Sequence, residues 1–216
     1  MSNLPVLYTF RRCPYAMRAR MALWYAGINC ELREVVLRDK PPSMLEYSAK
    51  GEVPVLVVDD RVIDESLDVM TWALGQNDPD GWMALDPEEA TELINRFDAE
   101  FKPILDRYKY ADRHPERSQV EYRDDALPYL RELDERLGAH AYLMGEELSF
   151  ADVALFPFIR QFANVDKNWF DGCKFKDLVS WLNGLLESGL FLSIMKKYPQ
   201  WQAGDDATFF IEGEVS

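Results

Sequence analysis

The sequence predicts a mixed α/β domain at the N-terminus followed by an all-α domain. Three observations carry this expectation. Short apolar runs with strand character alternate with helical segments up to Gln76. Turn and breaker residues then cluster at Asn77-Asp-Pro-Asp-Gly81 and Asp86-Pro87. After them no strand pattern returns. We therefore expect an N-terminal domain over residues 1–76, a linker over 77–86 and a helical domain over 87–216. A chain of 216 residues with 48% apolar side chains has the length and the core material for two domains.

Leu4 to Phe10 reads as a first strand, stopped by Arg11-Arg12. A helix follows, opened by Cys13 with Pro14 at its first position, where the missing N–H costs nothing, and closed by Gly27. Cys30 to Leu37 alternates as a second strand, and Pro41 to Lys50 forms a short helix or turn. Val53–Val58 and Arg61–Ile63 form a hairpin across Asp59-Asp60. Glu65 then opens a helix to about Gln76. This order, strand-helix-strand-helix-hairpin-helix, is thioredoxin-like, with a mixed sheet between helices. Beyond the linker we expect helices over 88–111 with a kink at Pro103, 116–137, 150–165 with a kink at Pro157, 176–186 and 190–197. Ser149-Phe-Ala-Asp152 reads as a capping box, a folding signal rather than a catalytic one. The tail from Ala203 to Ser216 has no assignable element.

Charge and composition narrow the chemistry. A net charge of -14 argues against nucleic-acid binding. The densest basic cluster, Arg11, Arg12, Arg18 and Arg20, brackets Cys13 and suits a small anion. Three cysteines without short-spaced pairing argue against a disulfide framework and for a reducing compartment, and the two histidines show no metal-ligand spacing. No apolar stretch reaches membrane-span length and Met1 to Phe10 lacks the pattern of a secretory leader, so a cytoplasmic location and no membrane association are expected.

Cys13 is the residue most expressive of chemistry. At a strand-helix junction its sulfur faces unsatisfied helix N–H groups, whose partial positive charge favours thiolate over thiol. Position 16 is Ala, so no neighbouring cysteine can resolve a mixed disulfide, and a soluble thiol must do so. A capping core cysteine is the plainer alternative. Cys30 reads as core filler and Cys173 has no visible activating partner. Val53-Pro54, starting a strand at this place in the order, suggests a cis peptide that exposes the Val53 backbone to an extended ligand. Glu65 and Ser66, opening a helix, suit an α-amino acid head group, although capping by Asp64 or Ser66 would explain them equally well. Tyr8 reads as a strand-core residue, and Arg20, set among apolar neighbours, suggests a buried ion pair.

Taken together, these pieces resemble the cytosolic glutathione transferase family, nearest to its cysteine-bearing, omega-like class. The likeness rests on Arg12-Cys-Pro-Tyr15, Leu37-x-x-Lys40-Pro41, Val53-Pro54, Glu65-Ser66, Leu148-Ser-Phe-Ala-Asp-Val153 and Phe156-Pro-Phe158. It implies the glutathione transferase fold, with glutathione as co-substrate and no metal. It also implies that Cys13 forms a mixed disulfide with glutathione and that Tyr15 flanks the thiol. Val53 would pair through its backbone with the cysteinyl part, with Pro54 as the cis-proline. Glu65 and Ser66 would hold the γ-glutamyl end, and Lys40, with Leu37 close by, the glycine carboxylate. A homodimer is implied, with the second substrate, a small molecule or a protein thiol or disulfide, between the domains. The activity expected is that of a glutathione-dependent thiol transferase or reductase, with thiol transfer or dehydroascorbate reduction ahead of classical conjugation. The competing readings are conjugation of glutathione to apolar electrophiles, activated by backbone dipoles or by Tyr8, which stands where the resemblance places a thiol-activating tyrosine in other classes, and a non-enzymatic binding module of the same fold.

Overall fold

A computed structural model describes residues 4–211. Strand β1 (Val6–Thr9) lies inside a four-stranded sheet of order β2-β1-β3-β4, with β2 (Glu31–Glu34), β3 (Val55–Val58) and β4 (Arg61–Ile63). Leu7, Tyr8 and Thr9 are wholly buried because neighbours flank β1 on both edges and helices cover the sheet. The β1–β2 pair is parallel, so a crossover must join them, and α1 (Pro14–Tyr25) is that crossover. β3 runs antiparallel to β1 and pairs with β4 across Asp59-Asp60, where Asp59 takes a left-handed φ of 51°. α2 (Pro42–Tyr47) is short, and α3 (Ser66–Gln76) packs against α1. The mixed sheet and its helices agree with the expected order.

Three strands are shorter than expected, β1 covering Val6–Thr9 rather than Leu4 to Phe10. Val35 to Leu37 leaves the ladder after Glu34, and Asp39 N–H closes a tight turn on the Val36 carbonyl at 2.8 Å. β3 begins at Val55, since Pro54 has no N–H to give a ladder.

The chain divides into two compact units. One takes residues up to Pro79 together with those from Gly189 on; the other spans Asp80–Ser188. The C-terminal residues, expected in the helical domain, group with the first unit for a backbone reason. After α11 (Gly189–Ile194) the chain runs along the open edge of β2. Trp201 N–H donates to the Glu34 carbonyl (2.9 Å), Leu32 N–H to Thr208 O (2.7 Å) and Phe210 N–H to Cys30 O (3.0 Å). This strap satisfies backbone groups that an edge strand otherwise leaves to solvent or to aggregation. The tail from Ala203 thus has a place as far as Ile211; residues 212–216 lie outside the described residues.

The second unit is helical throughout: α4 (Pro87–Arg96), α5 (Lys102–Lys109), α6 (Gln119–Asp125), α7 (Leu127–Ala139), α8 (Phe150–Ala163), α9 (Lys167–Gly172) and α10 (Lys176–Glu187). A π-helical turn at Phe97–Phe101 joins α4 to α5. The wider turn sits just before Pro103, whose ring would collide with the carbonyl four residues back in a regular α-helix. The helix expected over 116–137 is two helices, parted at Ala126, because Pro128 cannot extend the ladder and instead opens α7 in its first turn. The Ser149–Asp152 capping box is present with both of its bonds. Among the described residues no helix is long and apolar enough to cross a membrane.

Candidate functional site

Cys13 is the N-cap of α1, with extended backbone angles (φ −74°, ψ 124°) and no side-chain capping bond. Pro14 fixes the helix start behind it. The sulfur is half-buried and lies 3.7 Å from the Val53 carbonyl oxygen, which accepts its S–H. The Val53–Pro54 peptide is cis. Two segments 40 residues apart in sequence therefore meet at one thiol. Tyr15 is the second residue of α1, with the Arg18 guanidinium 5.1 Å from its ring centroid.

Glu65 and Ser66 sit at the start of α3. Glu65 is the N-cap but makes no side-chain capping bond, and Asp64 is held elsewhere, by Ser48 Oγ (2.7 Å) and Lys50 Nζ (3.2 Å). The capping explanation of this motif is therefore not what the side chains do. Ser66 is buried, and its Oγ accepts from Arg18 Nε at 3.0 Å. Lys50 Nζ stands 2.6 Å from the exposed Glu65 carboxylate. Hydrogen bonds from Ser48, ahead of those from Lys50, hold the Asp64 carboxyl below its ordinary range. Cations and carboxylates thus alternate around the first turn of α3, the charge pattern an α-amino acid end group needs.

Lys40 and Leu37 lie on the other flank, between β2 and α2. Leu37 is exposed in the turn that ends β2 rather than on a strand. Lys40 packs its stem and amine over Gly51, and a cleft of about 400 Å³ beside it is lined by Pro41, Ser43, Gln200 and Trp201 among others. Gly51 has φ +63°, and a Cβ there would stand 3.1 Å from Leu45 and 3.3 Å from Lys40 Nζ. Gly51→Ala is expected to lower stability by about 1–2 kcal/mol through the left-handed backbone alone, a fall of about 5 °C in Tm. A thermal melt unchanged within a degree would refute it.

Other residues divide cleanly. Tyr8 is wholly buried, and its hydroxyl accepts from Arg33 Nη1 (2.6 Å) and donates to Ser43 Oγ (2.9 Å). Its ring stacks edge-on against Trp201 of the strap. It is a core tyrosine with its hydroxyl engaged. Cys30 is wholly buried, and burial, with the charge of Glu31 added, drives its thiol far above the ordinary range, so it is no nucleophile. Cys173 caps the end of α9 in the other unit.

Comparison with known proteins now decides the family. The model for the glutathione S-transferase N-terminal domain matches residues 7–81, and that for the C-terminal domain matches residues 91–203. The chain belongs to the glutathione S-transferase family. It is 30% identical over 208 residues to the probable glutathione S-transferase parA of Nicotiana tabacum, covering 92% of this chain and 90% of that one. Over 145 residues it is 28% identical to the chloroplastic glutathione S-transferase DHAR3 of Arabidopsis thaliana, covering 67% of this chain and 53% of that one. Among solved structures, glutathione transferase Omega 3C of Trametes versicolor superposes with a TM-score of 0.77 at 20% identity, over 93% of this chain and 92% of that one. The fold of this glutathione S-transferase is thereby settled.

Three of its site contacts were not expected from the sequence. Lys50 on Glu65 and Arg18 on Ser66 both join residues far apart in the chain, and no local pattern announces them. The third is the setting of Arg20, expected in a buried ion pair and found bonded to a hydroxyl and a backbone carbonyl instead. Its side chain is buried beneath the Phe10–Cys13 turn, where Nη1 donates to Thr9 Oγ1 (2.6 Å) and Nη2 to the Arg11 carbonyl (2.8 Å). An arginine among apolar helix neighbours was the one signal for it.

Proposed function

We propose that this glutathione S-transferase is a thiol transferase or reductase of the omega or dehydroascorbate-reductase type, forming a mixed disulfide with glutathione at Cys13. The observation that carries the reading is Cys13 itself, half-buried at the N-cap of α1 against the Val53 carbonyl, with alanine three residues on. In this reading the Cys13 thiolate attacks the glutathione sulfur of a glutathionylated substrate. The S–S bond to the substrate breaks, the substrate leaves as a thiolate and takes a proton from water, and a Cys13–glutathione disulfide remains. Free glutathione thiolate then attacks the glutathione sulfur of that disulfide, giving oxidised glutathione and regenerating the Cys13 thiolate. Val53 would pair with the cysteinyl part of glutathione and Pro54 would hold its backbone in the cis form beside the thiol. Glu65 and Ser66 would bind the γ-glutamyl ammonium and carboxylate. Lys40 would bind the glycine carboxylate, with Leu37 and Tyr15 covering the ligand. The names of the DHAR3 and Omega 3C relatives favour this class of chemistry, and the engaged hydroxyl of Tyr8 counts against conjugation through that residue.

Mass spectrometry after exposure to oxidised glutathione tests the reading. One glutathione adduct is expected, on Cys13, with Cys30 and Cys173 unmodified. Adducts on Cys173 alone, or none at all, would overturn it.

A further inference from the structure

Arg20 is two helical turns beyond Cys13 on the same face of α1. Side chains on a helix lean toward its N-terminus, so a long one at this position reaches back under the strand-helix turn. Arg20 does so and is 2% exposed. Its two terminal nitrogens grip Thr9 Oγ1 and the Arg11 carbonyl, so both sides of the turn leading into Cys13 are tied to one guanidinium. Its Nε is buried with no hydrogen-bond partner. The turn is closed from the other side by Glu34. In the β1–β2 register Glu34 stands opposite Thr9, and its carboxylate accepts the Arg11 N–H at 2.8 Å.

A buried arginine with an unsatisfied nitrogen is expensive, and burial works against both charges here. It draws the Arg20 guanidinium down to about 10, against the pull of Glu34, Cys13 and Tyr198, and it raises the Glu34 carboxyl. Methionine would fill similar space without that cost. The side chain therefore needs a reason in charge or in geometry, and the turn it grips is the one that presents the thiol.

We propose that Arg20, counterweighted by Glu34, is a positioning residue for Cys13: it fixes the Phe10–Cys13 turn and places a buried positive charge behind the thiolate. The idea rests on Cys13 being the reacting thiol. Other groups around that turn are Arg11, half-buried beside Glu34; Arg12, exposed over the Phe10 ring; Arg18, bonded to Ser66; Tyr198 of the strap; and the Val53 carbonyl. The exposed cation works through water and is screened; Arg20 is not.

The test uses the full chain and follows alkylation of Cys13 by iodoacetamide across pH, read on the Cys13 peptide by mass spectrometry. In that reaction the thiolate sulfur bonds to carbon as iodide leaves, so the rate follows the thiolate fraction. Arg20→Met is expected to raise the midpoint pH by about one unit and slow alkylation near neutrality several-fold. Glu34→Gln keeps an acceptor for the Arg11 N–H and removes the opposing charge, so its midpoint is expected to fall. Arg20→Lys is expected to stay closer to the wild type than Arg20→Met. A purely structural role would loosen the turn in both Arg20→Met and Glu34→Gln and shift them the same way or not at all; either result overturns the proposal. Should Arg20→Met not fold, Glu34→Gln decides by itself, and a midpoint that fails to drop overturns it. The oxidised-glutathione adduct is scored separately. Opposed midpoint shifts without an adduct would keep Arg20 in its role and remove the thiol-transfer reading, and an adduct without shifts would do the reverse.

Discussion

Cys13→Ala is expected to cut the glutathione-dependent reduction of a mixed disulfide between glutathione and mercaptoethanol by at least about a hundredfold, the scale on which losing a covalent nucleophile is felt. The size follows from the arrangement. The step needs a sulfur that can both attack and leave, and among the described residues the other two cysteines are a wholly buried one and one in the other unit. Binding should survive, because the remaining groups proposed to hold glutathione are the Val53 backbone, Glu65, Ser66 and Lys40, none of which the substitution touches. The pattern to look for is therefore lost kcat with a glutathione Kd changed by less than about threefold. Full turnover in the variant would point to a glutathione thiol activated elsewhere. Tyr8→Phe is a poor candidate for that elsewhere, since the Tyr8 hydroxyl is already held between Arg33 and Ser43.

Much of this site was legible because it is local. A cysteine before Pro14 marks a helix start, a proline before an apolar run marks the head of β3, and Glu65-Ser66 marks the head of α3. Each is a signal within a few residues, and the backbone follows it. What escaped was long-range. The Arg18–Ser66 and Lys50–Glu65 pairs span 48 and 15 residues, and Ile211 N–H reaches Asn29 across 182. The strap on β2 could not be read from residues 198–211, because its order comes from an edge that only the sheet creates. Val35-Val36-Leu37 misled for the opposite reason. Its apolar run has strand character, but the ladder with β1 ends at the Thr9–Glu34 pair: Val35 N–H makes a last bond to the Thr9 carbonyl, and Val36 then turns back on Asp39 instead of meeting another strand. Helix α9 was missed although Asp166 caps it through Trp169 N–H, a signal the six-residue helix carries in plain view.

The second large effect lies away from the thiol, at Asp152. This carboxylate is wholly buried in the helical unit and accepts from Leu143 N–H (3.0 Å), Ser149 N–H (3.0 Å), Ser149 Oγ and Trp181 Nε1 (2.8 Å). It joins the loop before α8, the first turn of α8 and the middle of α10 through one side chain. Burial pushes its carboxyl upward while those four donors pull it back, so the charge is tolerated only because the donors are there. Asp152→Ala strands all four at once. Each unsatisfied buried donor costs about 1–3 kcal/mol when nothing relaxes, and partial relaxation brings the expected loss to about 4 kcal/mol, or about 10 °C in Tm. Asp152→Asn keeps one accepting oxygen but turns an amide N–H toward groups that also donate, so it should lose about half as much. Calorimetry on the pair separates charge from connectivity. An Asn variant as damaged as the Ala variant would mean that the anion itself holds the capping turn. A loss below about 1 kcal/mol in both would mean that packing among Val153, Phe156 and Trp181 keeps α8 and α10 together without it.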